Sequence, residues 1–102
     1  MYAKVHERMS AGRVVSVVAV CDQELVGKVL KQGSIALDLK TYKNFYCGEL
    51  VEEQQAIELI KEADSLNLVG EKALKAVAKA IGVDVKAAKK ISGVPHLQVY
   101  RI

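Results

Sequence analysis

Aromatic residues are scarce in this sequence, which has no tryptophan, one phenylalanine and four tyrosines among its 102 residues. The core must therefore consist mainly of Val, Leu, Ile and Ala. Hydrophobic residues reach 51% of the composition, a fraction too high for a disordered chain. The length suits one hydrophobic core and not two. We therefore expect a single domain over residues 1–102.

Cysteine and long apolar runs are also scarce. Cys21 and Cys47 are the only cysteines, and the first residues contain no apolar segment like that of a secretory signal. Two thiols in such a chain are typical of a reduced intracellular protein. The longest apolar run, residues 14–21, is interrupted by Ser16 and is far shorter than the roughly 20 residues that span a bilayer. We expect a cytoplasmic protein without a membrane partner.

Residues that bind metals or phosphate in known motifs are few. His6, His96 and the two cysteines are the only soft ligands, and no two have the paired spacing of zinc sites. The glycine-rich phosphate-binding loop pattern is absent as well. The sequence predicts neither a metal site nor a cofactor.

Charge is distributed unevenly along the chain, although the net charge is only +3. Residues 1–69 carry eight Lys or Arg and ten Asp or Glu, whereas residues 70–102 carry seven and two. Within the first part, residues 44–66 hold six acids and one base. The basic second part favours an anionic partner, and the acidic segment favours a basic one.

Hydrophobic periodicity in the first half predicts strands. Residues 2–9 alternate between apolar and polar, and the Val-rich residues 13–21 are typical of a central strand, so a hairpin is expected. Asp22 is placed to cap a short helix over residues 23–26. A further strand is expected from Ser34 to Leu39, followed by a polar loop over residues 40–44.

The second half favours helices. Acids crowd the start of a predicted helix over residues 51–66, and the spacing of Leu74, Val77 and Ile81 predicts a second helix over residues 67–81. A third is expected from Val85 to Ile91, followed by a last strand from His96 to Ile102. The order of elements predicts an α+β domain, with a small, mostly antiparallel sheet and helices packed on one face.

Three segments resemble a known family when taken together: Phe45-Tyr46-Cys47-Gly48-Glu49, Asn67-Leu68-Val69-Gly70-Glu71 and Gly93-Val94-Pro95-His96-Leu97-Gln98. In this order and spacing they resemble the small archaeal family called domain of unknown function 424. The resemblance covers nearly the whole chain and implies an archaeal, cytoplasmic, single-domain protein, loosely associated with translation and RNA handling. It implies no established activity, and Cys47 stands where a small residue is expected.

A basic surface is the first candidate for function. Six lysines from the two predicted helices after residue 70 would form it: Lys72, Lys75, Lys79, Lys86, Lys89 and Lys90. Such a patch binds phosphates without sequence specificity, so RNA or a ribonucleoprotein is the expected partner. An alternative is an ordinary solvated face, because Lys also favours helices and solubility. No aromatic residue lies among these lysines, which disfavours base stacking on this face.

A polar pocket is the second candidate, in a small enzyme or ligand-binding protein. Its six residues come from the three segments of the resemblance: Tyr46, Glu49, Asn67, Glu71, His96 and Gln98. The imidazole of His96 suits acid–base chemistry, provided that a partner lies within hydrogen-bond reach. Alternatively, His96 and Asn67 bond to loop backbone and only fix turns.

Two further surfaces complete the set. Gly70 precedes a helix N-terminus, where free N–H groups bind anions, but Glu71 puts a negative charge there and disfavours a phosphate. The acidic helix over residues 51–66 offers a surface for a basic protein partner or for a second copy of the chain. The sequence leaves open whether the protein is an enzyme.

Overall fold

The computed structural model describes residues 1–100, which form eight strands, three α-helices and two short 3₁₀ turns. The strands are β1 (Tyr2–Ser10), β2 (Arg13–Cys21), β3 (Val29–Gln32), β4 (Ile35–Asp38), β5 (Glu49–Leu50), β6 (Ser65–Val69), β7 (Lys89–Ile91) and β8 (Val94–Tyr100). The helices are α1 (Lys43–Tyr46), α2 (Glu53–Glu62) and α3 (Glu71–Ile81). The 3₁₀ turns are Gln23–Leu25 and Val85–Ala87.

Six strands form one sheet in the order β5-β1-β2-β6-β8-β7, and β3 and β4 form a separate hairpin. β2 and β6 pair in parallel, and all other neighbours pair antiparallel. The domain is therefore mixed α/β with a mostly antiparallel sheet. The predicted first hairpin is confirmed, and its turn uses Ala11 and Gly12, which both have positive φ.

The first face of the sheet carries the main core. Alternate residues of the central strands, such as Val18, Val20 and Leu68, pack against the apolar sides of α2 and α3. Those sides present Ile60 from α2 and Val77 from α3, both fully buried. The residues whose spacing predicted the apolar side of α3 are thus among those that fill the core.

The second face carries a smaller core under α1 and the β3–β4 hairpin. Cys21 and Val69 on the sheet pack there with Leu39 and Tyr46. The two long helices therefore share one face, as predicted, whereas α1 lies on the other. Residues 40–44 were expected to be a loop, but Lys43 and Asn44 belong to α1.

The prediction of one helix over residues 51–66 and another from Asn67 was wrong at their junction. α2 ends at Glu62, Ser65–Val69 is a central strand, and α3 begins only at Glu71. Four of the five residues of β6 are buried, because strands border it on both sides and elements cover both faces. Such a strand lacks the alternation that reveals a half-exposed one.

The predicted helix over residues 85–91 was also wrong. Its first residues form a single 3₁₀ turn, and Lys89–Ile91 is the edge strand β7, paired with β8. Asp84 caps this turn, since its side chain accepts from the Lys86 N–H at 2.9 Å. The last predicted strand begins at Val94 instead of His96, and residues 101 and 102 lie outside the described part.

Asp22 caps a helix, but not the one expected. Its buried carboxylate accepts from the backbone N–H groups of Lys72 (3.1 Å) and Ala73 (2.9 Å) in the first turn of α3. The parallel pairing of β2 and β6 brings Asp22, at the end of β2, next to this turn. Gly70 fits here because a Cβ would overlap the Asp22 carboxylate, and its φ of 107° disfavours other residues.

Candidate functional site

The second face of the sheet holds a polar network of three side chains. Asn67 on β6 receives two hydrogen bonds at its Oδ1 atom, from the Tyr46 hydroxyl (2.8 Å) and from His96 Nε2 (3.0 Å). Each of the three residues comes from a different segment of the family resemblance. The structure therefore joins in space what the sequence separates.

Strand register explains why these side chains meet. Residues opposite each other on neighbouring strands point to the same face, as do residues two apart on one strand. Asn67 lies opposite Ala19 of β2, and His96 lies opposite Val69, two residues beyond Asn67 on the same face. Both side chains thus point towards the second face, where α1 presents Tyr46.

Burial sets the protonation of the network. It raises the pKa of the Tyr46 hydroxyl to about 12, above its ordinary value of 10.0, so this group remains a donor at neutral pH. Burial lowers the pKa of His96 below its ordinary value of 6.5, which favours the neutral imidazole. Because Asn67 Oδ1 can only accept, the proton of neutral His96 lies on Nε2, and Nδ1 is free to accept.

The side chains of β1 fasten α1 to the sheet. The His6 ring stacks on Phe45 with centroids 4.4 Å apart, and its Nε2 bonds to the Phe45 carbonyl oxygen at 2.8 Å. The Lys4 ammonium donates to the Asn44 carbonyl at 2.6 Å. A Cβ at Gly48 would overlap the backbone of β1, so a glycine here lets the chain approach closely. These contacts hold Tyr46 in place above Asn67.

Two open hollows lie on either side of Phe45 and Asn67. The first, here called the Tyr42 hollow, has a volume of about 320 Å³ and is lined among others by Ala36, Leu37, Asp38, Tyr42, Phe45 and Asn67. The second, the Tyr100 hollow, has about 220 Å³ and is lined among others by Arg8, Phe45, Ser65, Asn67, Gln98 and Tyr100. Their volumes suit small ligands or parts of larger ones.

The pocket predicted from the sequence is assembled only in part. Tyr46, Asn67 and His96 are hydrogen-bonded, and Gln98 lies opposite Asn67 and lines the same hollow. Glu49 is elsewhere, in an acidic hollow beside α2 that also contains Glu58 and Glu62. Glu71 lies at the start of α3, on the rim of a different cleft. Neither glutamate shares a hollow with the network.

The six predicted lysines are divided between several surfaces. Three of them surround one open cleft of about 390 Å³, here called the lysine cleft: Lys75, Lys86 and Lys90. Lys79 instead forms an ion pair with Glu53 at 2.6 Å. Lys72 is exposed in the first turn of α3 and does not line the cleft.

Lys89 lies on the far side of the sheet from the lysine cleft. Because β7 is a strand, Lys89 and Lys90 point to opposite faces. Lys89 is opposite His96, which belongs to the second face, whereas Lys90 is opposite Pro95, which lines the cleft with it. A single patch of six lysines required a helix over these residues, so it does not form.

Several residues around the hollows were not among the predicted site residues, namely Arg8, Tyr42, Phe45, Ser65 and Tyr100. One signal was present. The alternation of β1 places Lys4, His6 and Arg8 on one side, which is the second face. The position of Tyr42 and Phe45 depends on how α1 packs on the sheet, which no local pattern shows.

The two cysteines are the remaining candidates for nucleophilic chemistry. Cys21 packs with Tyr46 in the smaller core, and its thiol donates to the Asp22 carbonyl at 3.4 Å. Burial raises the pKa of the Cys21 thiol to about 12, so the thiolate needed for nucleophilic chemistry is disfavoured. Cys47 is exposed and free. Within residues 1–100, no three His, Cys, Asp or Glu side chains are grouped to hold a metal ion. No helix in that range is long and apolar enough to cross a membrane.

Comparison with known proteins gives a family and one structural relative. The family described as "Protein of unknown function (DUF424)" matches residues 10–102. The crystal structure of an uncharacterized conserved protein from Methanopyrus kandleri has 26% sequence identity and a TM-score of 0.76, covering 100% of this chain and 93% of that one. A search of curated proteins found no match.

Proposed function

The chain belongs to the DUF424 family, and on that premise we propose that it is a non-catalytic module that binds RNA or a ribonucleoprotein. The lysine cleft carries this proposal. Its three lysines come from α3, from the following 3₁₀ turn and from β7, and they surround one concave surface. A cytoplasmic location is part of the same proposal.

The charges at the cleft suit a phosphate backbone. Within the described residues, Lys75, Lys86 and Lys90 have no ion-pair partner, so their ammonium groups remain available. Glu71 is the one acid in the lining, and the lining is thus cationic overall. Its floor is apolar, with Leu74, Val85, Ala88 and Pro95. Such a lining favours contacts to phosphate over the reading of base edges.

The backbone N–H groups at the N-terminus of α3 are not part of the proposed RNA surface, although Glu71 lines the lysine cleft. Two N–H groups of the first turn of α3 already bind the Asp22 carboxylate. A phosphate at the same place would meet this carboxylate as well as the exposed Glu71, so repulsion disfavours it.

The test is a salt titration of binding to total RNA from the source cells. A triple variant, Lys75→Ala, Lys86→Ala and Lys90→Ala, is compared with the wild type. Each phosphate contact that is lost reduces the slope of log K against log salt by about 0.7 for single-stranded RNA. We expect the triple variant to lower the slope by roughly 2 and to weaken binding at every salt concentration.

A charge-matched control separates the cleft from net charge. Lys28→Ala, Lys31→Ala and Lys40→Ala remove the same number of charges from exposed residues outside the cleft lining. The control should keep the wild-type slope if the cleft binds the RNA. Equal losses in both triple variants would show only a general effect of charge, and no binding at low salt would overturn the proposal.

The alternative is a small enzyme or ligand-binding protein, and only four of its six predicted pocket residues lie together: Tyr46, Asn67, His96 and Gln98. The observation in its favour is the network of Tyr46, Asn67 and His96, which borders two hollows. A reaction that needs Glu49 or Glu71 beside His96 is disfavoured, because these glutamates lie in other hollows. The third candidate is a protein partner at the acidic side of α2, where Glu49, Glu58 and Glu62 line one hollow.

A further inference from the structure

We propose that the Tyr42 and Tyr100 hollows form a binding site for nucleobases, one flat ring in each hollow, with Phe45 and Asn67 between them. The ligand chemistry is a heteroaromatic ring with a hydrogen-bonding edge, either in a free nucleoside or unpaired in RNA. The RNA form rests on the function proposed above, and the nucleoside form does not depend on it.

The distribution of aromatic residues is the first support. The chain has only five, yet Tyr42, Phe45, Tyr46 and Tyr100 all line the two hollows. Tyr42 is 65% exposed and Tyr100 is 68% exposed, so neither ring serves mainly to fill the core. Exposed aromatic rings are platforms on which unpaired bases stack, because every base has a flat apolar surface.

The amide of Asn67 is the second support. Its Oδ1 is held by Tyr46 and His96, which fixes the orientation of the amide. Among the described residues, no group accepts from its Nδ2 atom, and no buried side-chain nitrogen or oxygen lacks a partner. Nδ2 is therefore accessible where Asn67 lines the hollows, and it can donate to an acceptor on a ring edge.

Each hollow adds polar groups of its own beside the aromatic walls. The Tyr42 hollow contains the carboxylate of Asp38, an acceptor whose pKa is lowered by hydrogen bonds from Thr41 and from the Lys40 backbone. The Tyr100 hollow contains the amide of Gln98 and the guanidinium of Arg8. Amide side chains pair with base edges, and a guanidinium binds phosphate or stacks on a ring. The lining thus offers both donors and acceptors beside the aromatic walls.

The test uses aromatic variants that change little else. In the variant Tyr42→Ala with Tyr100→Ala, both stacking surfaces are lost, and binding to oligoadenylate or oligouridylate of about ten nucleotides should weaken at least about 30-fold. The matched control, Tyr42→Phe with Tyr100→Phe, keeps both rings and should bind nearly as the wild type does. Adenosine and uridine are titrated in parallel as free ligands.

A third variant addresses the amide. Asn67→Asp keeps an acceptor for Tyr46 and His96 but replaces the Nδ2 donor with a second acceptor. It should weaken binding of the same ligands at least about 5-fold. A thermal denaturation curve for each variant shows whether it is folded. The tyrosine variants, which change exposed residues, keep the test decisive if Asn67→Asp does not fold.

The outcomes distinguish this site from the lysine cleft. If the variant Tyr42→Ala with Tyr100→Ala loses RNA binding while its salt slope stays unchanged, the result supports the binding of unpaired bases in RNA. If the wild type binds adenosine or uridine and this variant does not, the result supports a free nucleoside as the ligand. If only the lysine triple variant loses RNA, and no nucleoside binds, the base site is overturned while the proposed function stands. If nucleosides bind but RNA does not, the base site stands without that function. If neither ligand binds, both are overturned.

Discussion

At the scale of single residues, Asn67 determines the organisation of the second face. One atom, its Oδ1, holds a helix through Tyr46 and a strand through His96. Each bond contributes about 1 kcal/mol when it is made, but leaving a buried group unpaired costs more. The main effect of these hydrogen bonds is therefore on which residue types are tolerated at these three positions. Their net contribution to the free energy of unfolding is the smaller effect.

The protonation of His96 gives a prediction about pH. Burial lowers its pKa in the folded protein, so the unfolded chain binds more protons once the pH falls below about 6.5. Folding stability should therefore be fully present at higher pH and decrease as the pH drops through and below this value. Urea denaturation at a series of pH values between about 8 and about 5 measures the decrease.

The variant His96→Gln is the matched comparison, because a Gln amide still donates to Asn67 Oδ1 but does not titrate. We expect its stability to depend less on pH than that of the wild type over the same range. Parallel curves for the two proteins would show that His96 contributes nothing to the pH dependence.

At the scale of elements, the junction of β6 and α3 is the most constrained part of the chain. Gly70→Ala would force a methyl group into the Asp22 carboxylate at a residue with positive φ, and it should destabilise the protein by about 2–4 kcal/mol. Gly82→Ala is the control, since Gly82 also has a positive φ but no atom within 4 Å of an added Cβ. It should cost only about 1–2 kcal/mol.

Chemical denaturation of both glycine variants, with an unchanged dependence on denaturant, measures the two losses. Equal losses would show that the backbone conformation alone matters and that Asp22 is not held tightly. A smaller loss in Gly70→Ala than in Gly82→Ala would contradict the close packing described here.

Local patterns predicted α3, which has one exposed face, but they missed β6, which is covered on both faces. The apolar spacing of α3 and its end at Ile81 were visible because one side of the helix is in solvent. β6 was missed because its residues are buried on both sides, and β7 was assigned to a helix because three residues are too few to show a period. The same limit applies to the candidate site. The sequence identified its three segments but did not show which of their side chains are in contact.

At the scale of the whole molecule, β2 and β6 form the centre, since two further strands of the sheet lie on each side of this pair. We expect the slowest amide hydrogen exchange at residues 17–21 and 65–69, where the two strands pair with each other. Exchange should be faster at residues 7–16, the outer half of the first hairpin, because β6 does not reach it. Equal protection along the whole of β2 would contradict this order.

The parallel pairing at the centre also has a consequence for how the protein is made. Ser16 and Asp64, which bond where β2 and β6 meet, are 48 residues apart, and β8 must still be added beyond β6. During synthesis on a ribosome, β1 and β2 emerge long before β6, the parallel partner of β2. Until β6 emerges, one edge of the Val-rich strand β2 is unpaired. Because closing long loops slows folding, we expect a late, cooperative step after most of the chain has been synthesised. During that interval we expect the unpaired edge of β2 to be prone to association with chaperones or with other chains.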